Sequence, residues 1–380
     1  MKVAQVYDVR HEAANGVYKT VAGLVKWLPS VGVEGEAWNL TPDVSTVTFR
    51  QVAGVTVVDL PAHRRGKAMV LRLPAVTREF IEERQNEVDL INFHSVFIPS
   101  NAWLAKVLRK PYVITPNGGY SSVGLAGTNR HFKRFWLAWQ EMDYLRRAAA
   151  VLAVSRAEQR ELSARWPELK LRYTANAIEL PDESIIPPTR TNDFVFVGRL
   201  AIDHKGLDRM VRGFAKFANS PVGKTTSSRL VLAGPDWRGC RAILEKQAGD
   251  LGVKERVVFT GSIFGAEKDK LMAGARAFVH TSRWEGLPFS ILESLSFGTP
   301  VLITPETNMD EVVRQYQAGV VVDGENDQSI ADGFAKLAGA SESEFGELSM
   351  AAKRMVTENF IWPVAVAQVK TVYEEVLNRR

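Results

Sequence analysis

The apolar and polar positions alternate between short strand-like runs and helix-like stretches along the chain. In the first half, 3–7, 88–93, 112–115 and 149–154 are short runs rich in Val, Ile, Leu and Ala. Their apolar character is near-continuous, which suits parallel strands covered on both faces. Between them, stretches such as 17–28 carry apolar residues at helical spacing (Val21, Leu24, Val25, Leu28), as parallel crossovers require. Residues 181–189, with Pro181, Pro187 and Pro188, continue neither helix nor strand and read as a linker. The alternation then restarts, with strands predicted at 194–197, 230–233, 257–260, 277–280 and 301–304. Two helical patterns close the chain, with Pro363 interrupting. The pattern predicts an α/β protein of two doubly wound, Rossmann-like domains facing across a cleft. Ligands bind such sheets outside the carboxyl ends of the strands.

Composition narrows the picture. A length of 380 residues suits two domains, and 46% hydrophobic residues exclude a disordered chain. Cys240 is the sole cysteine, which excludes a disulfide scaffold, and the six histidines form no His-x-x-x-His pair for a zinc hydrolase. No run approaches the roughly 18 apolar residues of a membrane span. The start turns polar at Asp8-Val9-Arg10-His11 before a signal core can form. A soluble, cytoplasmic chain is expected. The net charge of +5 lies wholly on residues 1–185, with 24 Lys+Arg against 19 Asp+Glu. It is densest at 61–78 (Arg64, Arg65, Lys67, Arg72, Arg78, no acid) and at 129–172. That imbalance fits either an anionic partner or a solvated basic surface.

The window from Arg283 to Val301 holds Glu285-Gly286-Leu287-Pro288-Phe289 and, eight positions after Glu285, Glu293. It follows the strand at 277–280, so Glu285 falls in a strand-to-helix turn and 287–297 forms a helix. Its N-terminus would offer amide donors and partial positive charge to a diphosphate. Two carboxylates beside it can accept hydrogen bonds from vicinal hydroxyls. Alternatively, Glu285 caps the helix and Glu293 is a solvated helix residue. A second window, Gly198-Arg199-Leu200 with Lys205-Gly206, delivers two cations to a strand's carboxyl end. Arg offers a planar fork and Lys a point charge, a pairing able to neutralise a diphosphate without a metal.

These windows, with Leu232-Ala233-Gly234-Pro235-Asp236, Val257-Val258-Phe259-Thr260-Gly261 and Gly298-Thr299-Pro300-Val301, resemble glycosyltransferase family 4, of the GT-B fold. The likeness is close over 190–360 and looser before it. It implies a retaining, metal-independent enzyme with a nucleoside-diphosphate-sugar donor and no other cofactor. By resemblance, Arg199 and Lys205 bind the diphosphate and stabilise its departing charge, Glu293 holds the ribose hydroxyls, and Glu285 holds the transferred sugar. Gly286, Leu287, Pro288 and Phe289 complete the donor site. It also implies an acceptor domain at 1–185, a donor domain at 190–362, and a last helix at 364–380 packed back on the first domain. No Asp-x-Asp sequence occurs, in agreement with a metal-free mechanism.

In the first half, Asn15-Gly16 stands where the family has a glycine-rich loop, with one glycine of the usual pair; a plain turn is the alternative. His94 follows the strand at 88–93, where the family often has a histidine facing the sugar; a structural histidine is the alternative. Asn117-Gly118-Gly119 resembles the family's Pro-His-Gly segment, with Asn117 in place of histidine, and joins Asn15 as an acceptor-side candidate. Asn117 cannot titrate and is assigned no acid–base work. No nucleophile stands out, and front-side substitution is the expected route.

Phe132, Phe135, Trp136 and Trp139 form one stripe on a basic helical segment at 129–147. It either packs into the core or presses aromatics and cations on an anionic membrane. The sequence thus predicts a hexosyltransferase acting on a glycan or lipid-linked glycan, in bacterial surface polysaccharide assembly, at the inner membrane face and without nucleic acid. Nothing in it sets oligomeric state. The alternatives are a nucleotide-sugar epimerase, an α-glucan synthase, or a non-catalytic nucleotide-sugar-binding protein.

Overall fold

The computed structural model describes residues 1–8, 15–52, 54–63, 73–126, 130–187 and 189–378. The predicted features at Val9–His11, Arg64, Arg65, Lys67, Arg72, Asn129 and Pro188 therefore lie outside the described residues. The chain forms two compact units. The first is Met1–Ala177 with Trp362–Arg380, and the second is Ile178–Ile361. The chain thus passes between units at Ala177, before the proline-rich stretch, which is part of the second unit. Glu183 there accepts from Lys353 Nζ at 2.7 Å, and Ile178 N donates to Phe360 O at 2.8 Å. The predicted linker is corrected on that ground.

The first unit carries strands β1 (Lys2–Tyr7), β2 (Glu34–Thr41), β3 (Thr48–Val52), β4 (Val55–Pro61), β5 (Leu90–His94), β6 (Tyr112–Thr115), β7 (Ala150–Ala153) and β8 (Leu171–Tyr173). They form one sheet in the order β3-β4-β2-β1-β5-β6-β7-β8. All pairings are parallel except β3 with β4. The chain order reverses between β1 and β5, which makes their carboxyl ends a topological switch point. One apolar layer gathers Trp38, Phe93, Ile114 and Trp136. The other joins Val3, Leu24 and Leu28 to Trp362, Val366, Val369 and Tyr373 of the last helix, Trp362–Asn378. That helix lies so close to helix Gly16–Trp27 that a Cβ on Gly23 would sit 1.8 Å from the Trp362 ring.

The second unit carries β9 (Phe194–Val197), β10 (Leu230–Ala233), β11 (Val257–Gly261), β12 (Ala277–His280), β13 (Val301–Ile303) and β14 (Gly319–Val321). Its parallel sheet runs β11-β10-β9-β12-β13-β14. Phe194, Phe214, Phe217 and Phe334 form an edge-and-stack aromatic cluster in its core. Here the switch point falls between β9 and β12. These strands pair only through Ala277↔Phe194 and Phe278↔Val195, so their carboxyl ends diverge.

Candidate active site

The turn after β9 delivers Arg199 and then a short helix, Ile202–Lys205, which ends at Gly206. Gly206 has φ of +61°, and a Cβ there would lie 2.0 Å from Thr281 O. No other residue allows so close an approach, and the approach sets Lys205 beside the end of β12. From the other side, β12 delivers His280, Thr281 and Ser282 to the turn at Glu285. Arg209, 1% exposed, fixes that turn from beneath: Nε donates to Thr281 O at 2.8 Å and Nη2 to Ser282 O at 2.6 Å. Asn308 Nδ2 donates to the carbonyls of Glu285 at 2.6 Å and Gly286 at 3.1 Å.

Glu285 is the centre of this cluster. Its Oε1 is ion-paired with Lys205 Nζ and accepts from Ser282 Oγ at 2.8 Å. His280 Nε2 lies 3.3 Å from the same oxygen and His204 Nε2 3.5 Å. Burial alone would raise the carboxyl's proton affinity, but the Lys205 charge first, then His204 and His280, bring its pKa down to about 2. Burial holds His280 at about 3 and His204 at about 4, against the pull of Glu285. Both rings are therefore neutral at neutral pH. His204 Nε2 lies 2.9 Å from Trp284 O, an acceptor, so that nitrogen carries the proton; the ring also stacks on Trp284 at 4.5 Å. The result is one fixed ion pair among neutral dipoles. Glu285 can accept hydroxyl hydrogens but has neither a proton to give nor the basicity to take one.

The following helix is Phe289–Ser296, two residues shorter at its start than the sequence pattern predicts. Pro288 occupies its N-cap and has no side-chain acceptor to offer. Glu293, a turn further, accepts from Lys268 Nζ at 2.7 Å. Arg199 is exposed, its guanidinium 4.8 Å from the Trp237 ring centre. The structure thus brings Lys205, Glu285, Gly286, Leu287, Pro288 and Phe289 together around one switch point. It leaves Arg199 at the edge and ties Glu293 to Lys268. His204, His280, Ser282, Arg209 and Asn308 escaped sequence reasoning. A polar triplet, His280-Thr281-Ser282, at a buried strand's carboxyl end is the signal that was there to find.

In the first unit, His94 ends β5 at 0% exposure with Nε2 2.9 Å from Gln5 Oε1. Asn92 Nδ2 donates to the same oxygen at 3.0 Å and to Tyr373 OH at 3.1 Å, and Thr115 Oγ1 donates to Asn92 Oδ1 at 3.0 Å. Burial lowers His94 to about 3. His94 is a neutral member of this network through Nε2, and its buried Nδ1 has no hydrogen-bond partner among the described residues. Asn15 opens the first helix of this unit. Its Oδ1 accepts from Val17 N at 2.8 Å and Tyr18 N at 3.4 Å, so its side chain serves as N-cap of the helix that starts at Gly16.

The turns after β5 and β6 are strained. Ser95, Phe97 and Asn117 hold φ of 68°, 56° and 54°, and Gly118 holds 78°. Two buried carboxylates clamp these turns. Glu141 accepts from Phe97 N at 2.8 Å, Tyr120 OH at 2.7 Å and Trp136 Nε1 at 2.8 Å. Glu158 accepts from Gly118 N at 2.7 Å and Val154 N at 2.8 Å. Gly119 follows, its N bonded to Pro116 O at 3.1 Å. Strain held in place at a switch point is a common mark of a ligand-contacting surface.

Each unit is thus a doubly wound α/β fold, and the second carries a charged switch point. The chain belongs to the glycosyl transferases group 1 family, whose model matches residues 179–372, and a glycosyl transferase 4-like domain matches residues 15–177. It is an enzyme of the GT-B fold. An uncharacterized glycosyltransferase of Methanocaldococcus jannaschii is 28% identical over 215 residues, 56% of this chain and 50% of that one. The match therefore spans half of that relative's length. GDP-mannose:cellobiosyl-diphosphopolyprenol alpha-mannosyltransferase of Xanthomonas oryzae pv. oryzae is 21% identical over 383 residues, covering 99% of this chain and 97% of that one. Among solved structures, sucrose-phosphate synthase of Thermosynechococcus elongatus superposes with a TM-score of 0.75 at 17% identity, over 100% of both chains.

Proposed function

We propose that this enzyme is a retaining, metal-independent hexosyltransferase that moves a sugar from a nucleoside diphosphate to a hydroxyl of a lipid-linked glycan. The observation that supports this most is the Lys205–Glu285 pair, held at the second unit's switch point by His204, His280 and Ser282. Glu285, ionised throughout the working pH range, accepts from hydroxyls of the transferred sugar. Lys205 and Arg199 take the diphosphate, Glu293 the ribose hydroxyls, and the helix that starts at Phe289 adds its dipole. The bond from the anomeric carbon to the donor phosphate breaks with its electron pair on phosphate oxygen. The acceptor oxygen bonds the same face of that carbon, and its proton passes to the departing phosphate. No step needs Glu285 as acid or base, which agrees with its low pKa.

The first unit, with its strained turns around Asn117, Gly118 and Gly119, receives the acceptor. With the boundary at Ala177, that unit holds 27 Lys+Arg against 18 Asp+Glu, and the second 21 against 25. The division supports an anionic acceptor at the inner membrane face, in surface polysaccharide assembly. A full-length relative named for a polyprenol-linked acceptor and GDP-mannose makes that donor the first to test. A donor screen scored by nucleoside-diphosphate release, with and without EDTA, tests the reading. Release that survives Arg199→Ala unchanged, or that vanishes with EDTA, overturns the donor site or the metal-free claim respectively. Epimerised donor without acceptor, or growth of an α-glucan, points to the alternatives.

A further inference from the structure

The aromatic stripe read from the sequence is divided by the structure. Helix Arg130–Trp136 runs into a π-helical turn, Leu137–Glu141, before helix Met142–Arg147. Trp136 is 1% exposed and its indole donates to buried Glu141. The three other rings face outward: Phe132 is 37% exposed, Phe135 57% and Trp139 49%. The wider π turn buries Gln140 and Glu141 while leaving Trp139 outside. Phe135 lies 5.7 Å from Trp139, Phe132 6.2 Å from Trp136, and Trp136 5.7 Å from Trp139. One layer of rings is thus rooted in the core at a single member and bared at three.

The exposed charges on this helix are of one sign. Arg130 and Arg134 are exposed and Lys133 is half-buried on the same helix. The acid within 130–142 is Glu141, which is buried, and the next, Asp143, stands 3.6 Å from Arg147. We propose that Phe132, Phe135 and Trp139, with Arg130, Lys133 and Arg134, form a docking surface for an anionic phospholipid bilayer. The rings enter the headgroup layer while the cations meet lipid phosphates. A second copy of this chain is a poor occupant. Two such cationic faces repel, and three part-exposed rings fall far short of the roughly 800 Å² per partner of a stable interface. The surface rests on the reading of a membrane-borne acceptor for its purpose, though its physical test does not.

The test is co-sedimentation of the full chain with vesicles of phosphatidylcholine, alone or with phosphatidylglycerol. Binding to the anionic vesicles is expected, weakened by salt, since each cation near such a surface multiplies partitioning roughly fivefold. The double variant Phe135→Ser/Trp139→Ser should bind at least tenfold more weakly, with unchanged thermal midpoint and unchanged nucleoside-diphosphate release. Wild-type protein that ignores anionic vesicles, or a double variant that binds as well as wild type, overturns the proposal. So does a concentration-dependent dimer, or a single-stranded RNA complex, that the same variant abolishes in place of vesicle binding. Vesicle binding without transfer to any lipid-linked acceptor keeps this surface and removes the acceptor reading. Transfer to such an acceptor without vesicle binding does the reverse.

Discussion

Glu158 in the first unit and Glu285 in the second are both enclosed carboxylates at the carboxyl end of a parallel sheet, yet their protons behave oppositely. Burial dominates at Glu158, where two backbone amides only partly compensate, and its pKa rises to about 7. At Glu285 the Lys205 ammonium overturns burial and the pKa falls to about 2. A backbone clamp needs only acceptor atoms and tolerates loss of charge. A ligand site of fixed charge needs a counter-ion already in place. By that criterion the second unit is built to meet a charged group, and the first to hold its own strained turns in shape.

The sharpest way to break the comparison is Lys205→Ala. It strands the Glu285 charge, so transfer should drop about 10²–10³-fold and the protein should lose about 3 kcal/mol of stability. A steady-state kcat within tenfold of wild type would remove Lys205 from the chemistry. Next comes pH. Glu158 binds its proton more tightly folded than at its ordinary value of 4.5. Its own contribution to stability should therefore fall as pH rises from about 4.5 to about 7, by an amount on the order of 3 kcal/mol, and level off above. Glu285 has the opposite sign, with stability present above 4.5 and lost as pH falls toward 2. The buried neutral His94, His204 and His280 add stability as pH rises toward 6.5, so the Glu158 term is read by difference. Melting temperature should rise more steeply with pH between about 5 and 8 in Glu158→Gln than in wild type, and parallel curves would remove the Glu158 term.

Arg199→Ala removes an exposed cation. It should raise the donor KM about tenfold and leave the thermal midpoint in place, as expected for loss of one charged hydrogen bond. The smallest effect concerns the turn at Asn117. Asn117→Gly should be nearly neutral, whereas Asn117→Ala should cost about 1 kcal/mol in denaturant unfolding, since φ of 54° penalises a Cβ without a compensating side chain. Equal stability of the two would mean the turn relaxes.

Five strands of the second unit, β9 to β13, and the residues Lys205 and Glu285 were legible because each rests on a local signal: a short apolar run, a turn glycine, a charged residue just past it; β14 and the Lys205–Glu285 ion pair were not foreseen. What escaped depends on contacts across the sheet. Arg209 reads as an ordinary helix cation until its helix packs against Thr281 and Ser282. Glu293 keeps no trace in sequence of its partner Lys268, which comes from a neighbouring helix. In the first unit, β2, β3, β4 and β8 were not foreseen: β2 carries Glu34, Glu36 and Asn39 among its apolar residues, and β3 is mostly polar. Position after a strand likewise does not say that one ring nitrogen of His94 turns toward Gln5. The aromatic stripe misled in a different way. Even helical spacing placed all four rings on one face, and an extra residue in the turn at 137–141 separates their fates.

The last helix, Trp362–Asn378, gives the chain an order of manufacture. Tyr373 OH accepts from Gln5 Nε2 at 3.2 Å and from Asn92 Nδ2 at 3.1 Å. Val3, Leu24 and Leu28 are likewise covered by side chains that a ribosome adds more than three hundred residues later. The first unit to emerge must wait with an open seam while the second, continuous from Ile178 to Ile361, is made and can close on its own. The half translated first is the half finished last.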